Sequence, residues 1–354
     1  MSDEGLRKFC AALPKIELHA HLNTSFSKVT LQALVDRKIK HDPTFTSQKM
    51  TFDGNETAGI EESFNIFKQI HMICNDAHAI YTLTHDIIHE FAADNVKYVE
   101  LRSTPKTIPE TGLTPEVYLD CMLKAVQDCE EEGVDTIVRI LPSIDRRNGV
   151  DVAYKTVDLA HKYAQTSNGV VCGIDFSGDP LVGDAADYIP VFQYAHNKGL
   201  KLALHLAEIA SFKETYEVIK GTTVGRIGHG TFLHQCSEDY KDLTQCVVQQ
   251  RIPIETCMTS NLKAQTVLDY SSHHLEYWYN RQHPVIICTD GKGVYQTTVT
   301  DEYQHAAEAF GLTRQQLWQL SLQSVDHIFA DEATKQTLRQ RWNCIKPSLD
   351  FQDE

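Results

Sequence analysis

The chain has 354 residues, of which 42% are hydrophobic, and carries 33 Lys and Arg against 48 Asp and Glu, for a formal net charge of -15. This length can bury a large core in one domain or two. The acidic balance argues against sequence-independent nucleic-acid binding, which needs a basic surface.

The ten cysteines include no C-x-x-C pair and are typical of reduced, mostly buried thiols. No segment approaches the ~20 apolar residues of a membrane span, and the acidic first residues lead into no secretory signal. We therefore expect a cytoplasmic protein that acts without a membrane. A monomer is the expected state, although no pattern in the sequence fixes the oligomeric state.

Short apolar or alternating runs recur along the chain and are separated by stretches with helical periodicity, which is typical of repeated βα units around a parallel sheet. The predicted strands are 16–22, 98–104, 137–144, 170–177, 202–207, 226–230, 252–259 and 285–289. The predicted helices are 61–73, 79–93, 116–131, 153–164 and 188–197, with 302–310, 314–324 and 333–342 after the last strand. The pattern predicts an α/β fold, a (β/α)8 TIM-type barrel with additional C-terminal helices, as a single domain over 1–354. The polar segment 43–59 is predicted to be an inserted loop at the barrel mouth.

Two histidines alternate with apolar residues in the first predicted strand, Ile16-Glu17-Leu18-His19-Ala20-His21-Leu22. In a strand, His19 and His21 point to the same face, about 7 Å apart, where two imidazoles can converge on one divalent ion. A strand with two polar residues and no metal is the alternative when H-x-H stands alone.

Three later strand ends supply polar residues that belong with this pair, because the C-terminal ends of barrel strands meet at one face. His205 and Glu208 end the fifth strand, Gly228-His229-Gly230 ends the sixth, and Asp290 ends the eighth. Taken singly, each has an ordinary structural explanation: His205 as a core histidine, Gly228-His229-Gly230 as a tight turn, and Asp290 as a helix cap. Together, three histidines and an aspartate (His19, His21, His205 and Asp290) predict one Zn²⁺ with a position left for water.

These motifs, with Ser177-Gly178-Asp179, resemble those of the adenosine/AMP deaminase superfamily in order and spacing, over essentially the whole chain. Leu13-Pro14-Lys15, the segment 100–106, Asp145-Arg146-Arg147 and the segment 228–233 resemble more narrowly its adenosine deaminase-like branch, the N6-methyl-AMP deaminases. The resemblance implies a metallo-dependent hydrolase barrel and the same four zinc ligands.

The resemblance also implies how the catalytic groups act. His229 would orient or deprotonate the attacking water, and Glu208 would share a proton with purine N1 while C6 is attacked, as a non-ligand glutamate does in other zinc deaminases. Gly178 would offer its backbone amide to the purine edge, although Ser-Gly-Asp is also an ordinary turn. The expected reaction converts N6-methyl-AMP, or a related N6-substituted purine nucleoside monophosphate, to IMP and an amine.

Substrate choice rests on further positions that match the branch. Asn23 can face a phosphate where a carboxylate would repel it, and Lys106 beside hydroxyls and backbone amides could bind that phosphate. The expected substrate-binding residues are His21, Asn23, His71, Ser103, Thr104, Pro105, Lys106, Asp145, Gly178 and Gly291. The alternatives are a core role for His71, a solvated loop charge at Lys106 and a surface ion pair of Asp145 with Arg146 and Arg147.

Two positions depart from the family. Thr24 stands where relatives have Gly, and we expect strain there if that Gly has a positive φ. Gly291 follows Asp290 where relatives have a second Asp, whose carboxyl bonds purine N7 and lies near the attacking hydroxide. We therefore expect impaired catalysis, and keep open a deaminase of free nucleosides or a weakened form that binds zinc and nucleotide.

Overall fold

The computed structural model describes residues 3–42, 45, 68 and 70–352. Eight parallel strands lie in sequence order in one sheet, and an isolated parallel bridge between Ala20 and Asp290 brings the last strand beside the first. The sheet is therefore a nearly closed barrel, and the predicted (β/α)8 fold is confirmed. The strands are β1 Lys15–His21, β2 Val96–Ser103, β3 Ile137–Asp145, β4 Gly173–Ser177, β5 Lys201–Leu206, β6 Arg226–His229, β7 Ile254–Thr256 and β8 Val285–Ile287.

Helices cover the outside of this barrel. Those in the described residues are Asp3–Ala12, Lys28–His41, Ala77–Ala93, Pro115–Glu131, Val150–Thr166, Ile189–Asn197, Phe212–Gly221, Asp242–Gln250, Met258–Lys263, Leu275–Asn280, Lys292–Tyr295, Val299–Phe310, Arg314–Ser324 and Glu332–Ile345. The last three confirm the predicted C-terminal helices. None of the helices in the described ranges is both long and apolar enough to cross a membrane.

Polar side chains start several helices where the sequence places them. Asp76 accepts a hydrogen bond from the backbone N–H of Ala79 at 2.8 Å, and Thr298 and Thr313 each form a capping box. These side chains satisfy backbone donors that have no partner inside the helix. Apart from residue 45, the predicted loop 43–59 lies outside the described residues, and so does the predicted helix 61–73 except for residue 68 and a helical stretch at 70–73.

The seventh predicted strand is too long. β7 ends at Thr256, and the residues predicted to continue it begin the helix Met258–Lys263. A short apolar run cannot be assigned to strand or helix by periodicity alone. A residue distant in sequence stabilises the start of this helix, because the Glu302 carboxylate accepts a hydrogen bond from the Thr259 N–H at 3.2 Å.

Buried charges fill part of the barrel interior below the cavity. Arg102 lies 2.9 Å from both Asp175 and Glu255, and Arg226 lies 2.6 Å from Glu255 and also pairs with Glu100. All five side chains are fully buried. Buried charges are tolerated only when they are paired and hydrogen-bonded, and this network meets that condition across β2, β4, β6 and β7.

Candidate active site

A cavity with about 890 Å³ of empty space, its open mouth included, lies at the carboxyl ends of the strands. This is the face at which barrel enzymes place their reactive groups. Its walls are formed by His21, Asn23, Thr24, His71, Arg102, Ser103, Thr104, Lys106, Asp145, Arg147, Ser177, Gly178, His205, Glu208, His229, Ala264, Asp290 and Tyr295. Twelve of the fifteen residues selected from the sequence are therefore at the cavity wall; Pro105 and Gly291 are not among the lining residues, and His19 is buried behind them.

The four predicted zinc ligands lie together at the base of the cavity. His21 Nε2 is 3.1 Å from His205 Nε2 and 3.6 Å from Asp290 Oδ1, and His19 Nε2 is 4.0 Å from the same carboxylate oxygen. His229 joins them, with Nε2 3.8 Å from Asp290 Oδ2. The cluster combines side chains of β1, β5 and β6 with Asp290, which lies three residues past the end of β8.

Neighbouring side chains hold each of these donors in place. His19 Nδ1 lies 2.6 Å from Glu255 Oε2, His205 Nδ1 lies 2.9 Å from the carbonyl oxygen of Phe176, and Ser260 Oγ donates to Asp290 Oδ2 at 2.7 Å. A carboxylate or carbonyl that accepts from Nδ1–H leaves the lone pair on Nε2 free to bind a metal. The tautomer required of a ligand is thus fixed for His19 and His205.

These residues fit a metal ion. His19 Nε2 is buried and has no hydrogen-bond partner among the described residues, a costly arrangement for a ring nitrogen unless an ion uses it. Burial lowers the pKa of His21 to about 3 and that of His19 well below its usual value, so both rings are neutral, as ligands must be. Three imidazoles and a carboxylate form a donor set that suits Zn²⁺.

Glu208 and His229 flank the four predicted zinc ligands without belonging to that set. Glu208 Oε1 lies 3.8 Å from His229 Nε2, and burial raises the pKa of Glu208 to about 7. A carboxyl group with a pKa near neutrality can both give and accept a proton. The adjoining strand ends are strained, because Ala207, His229 and Asp290 all have φ between 50° and 62°.

Hydroxyl and cationic groups line the cavity further out. Ser103 Oγ is 2.6 Å from the hydroxyl of Tyr118, and Asn23 Oδ1 is buried with no partner in the described part of the chain. Burial lowers the pKa of Lys106 to about 8 and that of His71 to about 3. An anion beside Lys106 would favour its charged form, so this end of the cavity suits an anionic ligand.

Asp145 forms its ion pair at the cavity wall. Its Oδ1 accepts from Arg147 Nε at 2.8 Å, whereas Arg146 points away and pairs with the buried Glu214 at 2.8 Å. The single surface ion pair considered from the sequence is therefore two separate pairs. Asp145 and Arg147 pair at the cavity wall, and Arg146 pairs with Glu214 away from it. Gly178 lies against Asp145: a Cβ there would meet Asp145 Oδ1 at 2.5 Å, and its φ is 105°. Only glycine suits both conditions.

The two departures from the family are in contact with each other. Thr24 belongs to the short 3₁₀ helix Leu22–Thr24 and is not among the residues with positive φ, so the expected strain is absent. A Cβ built on Gly291 would lie 2.7 Å from Thr24 Oγ1 and 2.8 Å from Thr24 Cβ. The Thr24 side chain therefore fills the space that a side chain at position 291 would need.

Several residues of the site escaped sequence reasoning. Glu255, Asp175 and Ser260 orient the ligand cluster, and Arg102 links the first two. Ala264, directly after the helix that follows β7, and Tyr295, in the helix that follows β8, also line the cavity. The one available signal was the charge of Glu255, Asp175 and Arg102 inside otherwise apolar strands, since a buried charge needs a partner.

A (β/α)8 barrel that gathers imidazoles, an aspartate and a half-buried glutamate at the carboxyl ends of its strands is built as a metal-assisted hydrolase. Residues 14–343 match the family model described as adenosine deaminase. The chain belongs to the adenosine deaminase family, a metal-dependent class of hydrolases.

Relatives and solved structures narrow the comparison. The chain is 46% identical to an N6-methyl-AMP deaminase of Danio rerio, covering 96% of this chain and 97% of the relative. It is 44% identical to an N6-methyl-AMP deaminase of Homo sapiens, with 96% of each chain covered. The crystal structure of Arabidopsis ADAL in complex with IMP superposes with a TM-score of 0.89 at 31% identity, over 97% of this chain and all of that one.

Proposed function

We propose that this chain hydrolytically deaminates N6-methyl-AMP, and related N6-substituted purine nucleoside monophosphates, to IMP and an amine. The observation that carries the proposal is one cavity with the His and Asp cluster and Glu208 at its base and Lys106 with Ser103 and Thr104 on its wall. The names of the Danio rerio and Homo sapiens relatives and the IMP bound in the Arabidopsis structure agree with it.

The cofactor we propose is one catalytic Zn²⁺ per chain, held by His19, His21, His205 and Asp290. The orphaned Nε2 of His19 and the matched imidazole and carboxylate donors support this assignment. A zinc ion bound there supplies Lewis acidity toward water and substrate.

The protein groups then move the protons. His229 is placed to orient the attacking water or accept its proton. Glu208, with its pKa raised to about 7, shares a proton with purine N1 as the water oxygen adds to C6. The C6–N6 bond breaks, the amine leaves with the proton it has gained, and the ring becomes that of IMP. The Gly178 amide lies where the close approach of a ring edge is possible.

We assign the outer cavity to the sugar phosphate. Lys106 and the hydroxyls of Ser103 and Thr104 bind the 5′-phosphate, with Pro105 shaping that segment, while Asp145 accepts from a ribose hydroxyl. His71, Asn23 and His21 complete the substrate contacts. This division predicts a preference for the monophosphate over the free nucleoside.

We expect Gly291 to lower the rate of deamination. It offers no carboxyl to the purine, and removing one electrostatic stabiliser typically costs about 10² to 10³ in kcat. A deaminase of free nucleosides and a weakened form that binds zinc and nucleotide are the competing functions.

The test is a product assay on N6-methyl-AMP, AMP and adenosine with the full chain, combined with metal analysis. We expect IMP from N6-methyl-AMP at the highest kcat/KM and one equivalent of zinc at the catalytic cluster. Faster turnover of adenosine would favour the nucleoside deaminase. Tight binding of N6-methyl-AMP with no product would favour the weakened form.

A further inference from the structure

A second group of metal-type donors lies on the outside of the barrel, among residues that do not line the cavity. His85 and His89 belong to the helix Ala77–Ala93, and Cys129 and Glu132 lie at the end of the helix Pro115–Glu131. Ligand atoms of all four lie within 4.8 Å of one another. These two helices pack side by side, so the four residues are brought together by rigid elements.

The geometry of the cluster centres on Glu132. Its Oε1 lies 3.1 Å from His85 Nε2 and its Oε2 lies 2.8 Å from His89 Nε2. The histidines are one helical turn apart, and their ring centroids are separated by 4.7 Å. Residues at i and i+4 share one face of a helix, the spacing that metalloproteases use to present two imidazoles to zinc.

Its surroundings are acidic and include a soft donor. Asp86 Oδ1 lies 3.5 Å from His85 Nδ1, and Asp128 accepts from the Tyr81 hydroxyl at 2.8 Å. The buried Cys129 sulfur is adjacent, and burial raises the pKa of its thiol to about 12. A metal ion can displace that proton, because coordination stabilises a thiolate.

We propose that His85, His89 and Glu132, with Cys129 as a fourth donor, form a second site for a divalent transition metal, with Zn²⁺ as the expected occupant. Imidazole, carboxylate and thiolate are zinc donors, and small shifts of the side chains bring them to about 2.0 to 2.3 Å from one ion. The site joins two helices and is separate from the catalytic cluster.

The test compares zinc stoichiometry in the full chain after chelation and reloading. Wild type is expected to bind one equivalent more than His85→Ala/His89→Ala, with the deaminase activity of the two forms equal. His161→Ala is the matched control, because His161 is a half-buried helical histidine that hydrogen-bonds to Gln165 rather than to a carboxylate; it should keep the wild-type stoichiometry.

Two further readouts complete the experiment. Zinc should raise the Tm of wild type more than that of the double variant, since a ligand that binds the folded state stabilises it. Co²⁺ should give a thiolate charge-transfer absorption that Cys129→Ser removes. Equal stoichiometry and equal Tm shifts in wild type and the double variant would overturn the proposal and leave these residues as surface ion pairs.

A different observation, the contact between Thr24 and Gly291, carries a second inference that rests on the proposed function. Thr24 lines the cavity beside Asp290 and is 7% exposed. Its hydroxyl is 3.4 Å from the His21 carbonyl oxygen, which already accepts from Ser25 Oγ at 2.6 Å. The Thr24 hydroxyl is thus weakly engaged within the protein and able to donate to a ligand.

We infer that Thr24 is a substrate-positioning residue whose hydroxyl, in the space left by Gly291, bonds the purine ring. Thr24→Val keeps the shape and removes the hydroxyl, so kcat/KM for N6-methyl-AMP should fall about tenfold. Thr24→Ser should stay within about twofold of wild type, because it keeps the hydroxyl. If Thr24 had a purely structural role, kcat/KM would not depend on the hydroxyl, and Thr24→Ser would not be closer to wild type than Thr24→Val.

A pair of variants tests the shared space. Gly291→Asp alone should lower kcat/KM, because its Cβ would collide with Thr24, and Thr24→Gly/Gly291→Asp should recover at least tenfold over that single variant. Wild-type activity with Thr24→Val and no recovery in the double variant would overturn the inference. Absence of turnover by the wild type itself would instead overturn the proposed function.

Discussion

Glu208 shows at the scale of one residue how burial changes the acidity of a carboxyl group. It lies just past β5 in the wall of the cavity, where its partial burial raises its pKa to about 7. Desolvation disfavours the charged form, so the group holds a proton up to neutral pH and can release it there. An ordinary exposed glutamate would already have lost that proton.

We expect Glu208→Gln to lower kcat on N6-methyl-AMP by about 10² to 10⁴, the usual worth of general acid–base catalysis. Glutamine keeps the size of the side chain but cannot transfer the proton. Nucleotide affinity and zinc content should stay near wild type, as checked by steady-state kinetics and metal analysis. A drop in zinc content with the same loss of rate would show that Glu208 supports the ligand cluster instead.

Lys106 is the residue by which the cavity is expected to recognise phosphate. Lys106→Ala should weaken kcat/KM for the 5′-monophosphate by about 1.5 to 3 kcal/mol, the worth of a charge-assisted hydrogen bond, and leave the nucleoside unaffected. Lys97→Ala is the control, since its ammonium bonds Asp135 at 2.6 Å outside the cavity. Equal losses on both substrates would mean that Lys106 does not contact phosphate.

The residues that the structure gathers at the carboxyl end of the barrel could be selected from the sequence because each lies in or just past a recognisable strand. His19 and His21 share a strand face by alternation alone, and His205, His229 and Asp290 end apolar runs. The residues that orient them were not predictable in the same way. Glu255 reaches His19 across the barrel, 236 positions away along the chain, and no local pattern encodes such a pairing.

At the scale of elements, the local sequence pattern determines where most helices and strands begin and end. Long-range contacts determine the remaining boundaries. The helix Arg314–Ser324 begins and ends where its cap and periodicity predict. β7 shows the limit, because the Glu302 carboxylate on the helix Val299–Phe310 accepts from the Thr259 N–H and favours a helix over the end of a strand. Propensity is a weak prior that such tertiary contacts override.

Glu302 also makes the stability of this contact depend on pH. Burial raises its pKa in the folded state to about 7, above the value of the unfolded chain, so the folded state binds this proton more tightly. The stabilising contribution is complete below about pH 4.5 and is lost as the pH rises through about 7. The neutral form is the one that the buried position favours.

We therefore expect Glu302→Gln to become more stable relative to wild type as the pH rises from 5 to 8, by about 1 to 3 kcal/mol. Glutamine is neutral throughout, and its amide can still accept from the Thr259 N–H and donate to Thr297 Oγ1. Urea unfolding at the two pH values measures the difference. A free-energy difference that does not change with pH would show that Glu302 titrates normally.

At the scale of the whole molecule, the site and the barrel interior are one connected structure. Glu255 contacts His19 on its upper side and Arg102 and Arg226 beside it. Asp175 in turn lies 3.3 Å from His205 Nδ1 and 2.9 Å from Arg102. The charges that orient the ligand cluster are therefore also the charges that tie β2, β4, β6 and β7 together.

Arg226 is the position where this dual role can be measured. It is fully buried and pairs with Glu100 and Glu255 together, so Arg226→Ala leaves Glu100 without its cationic partner and Glu255 with Arg102 as its remaining guanidinium partner. Removing one member of a buried ion pair typically costs about 3 to 5 kcal/mol, whereas an exposed pair contributes about 0 to 1 kcal/mol. Arg339→Ala is the matched control, because Arg339 pairs with Asp326 and Glu332 on the surface.

Denaturant unfolding of the zinc-free forms should separate the two variants by several kcal/mol, about the difference between buried and exposed pairs. Zinc affinity of the catalytic cluster should also fall in Arg226→Ala, by up to about 10- to 100-fold, because a displaced Glu255 no longer orients His19. Arg339→Ala should change neither quantity. Loss of stability with unchanged zinc affinity would show that the network supports the barrel but does not reach the ligands above it.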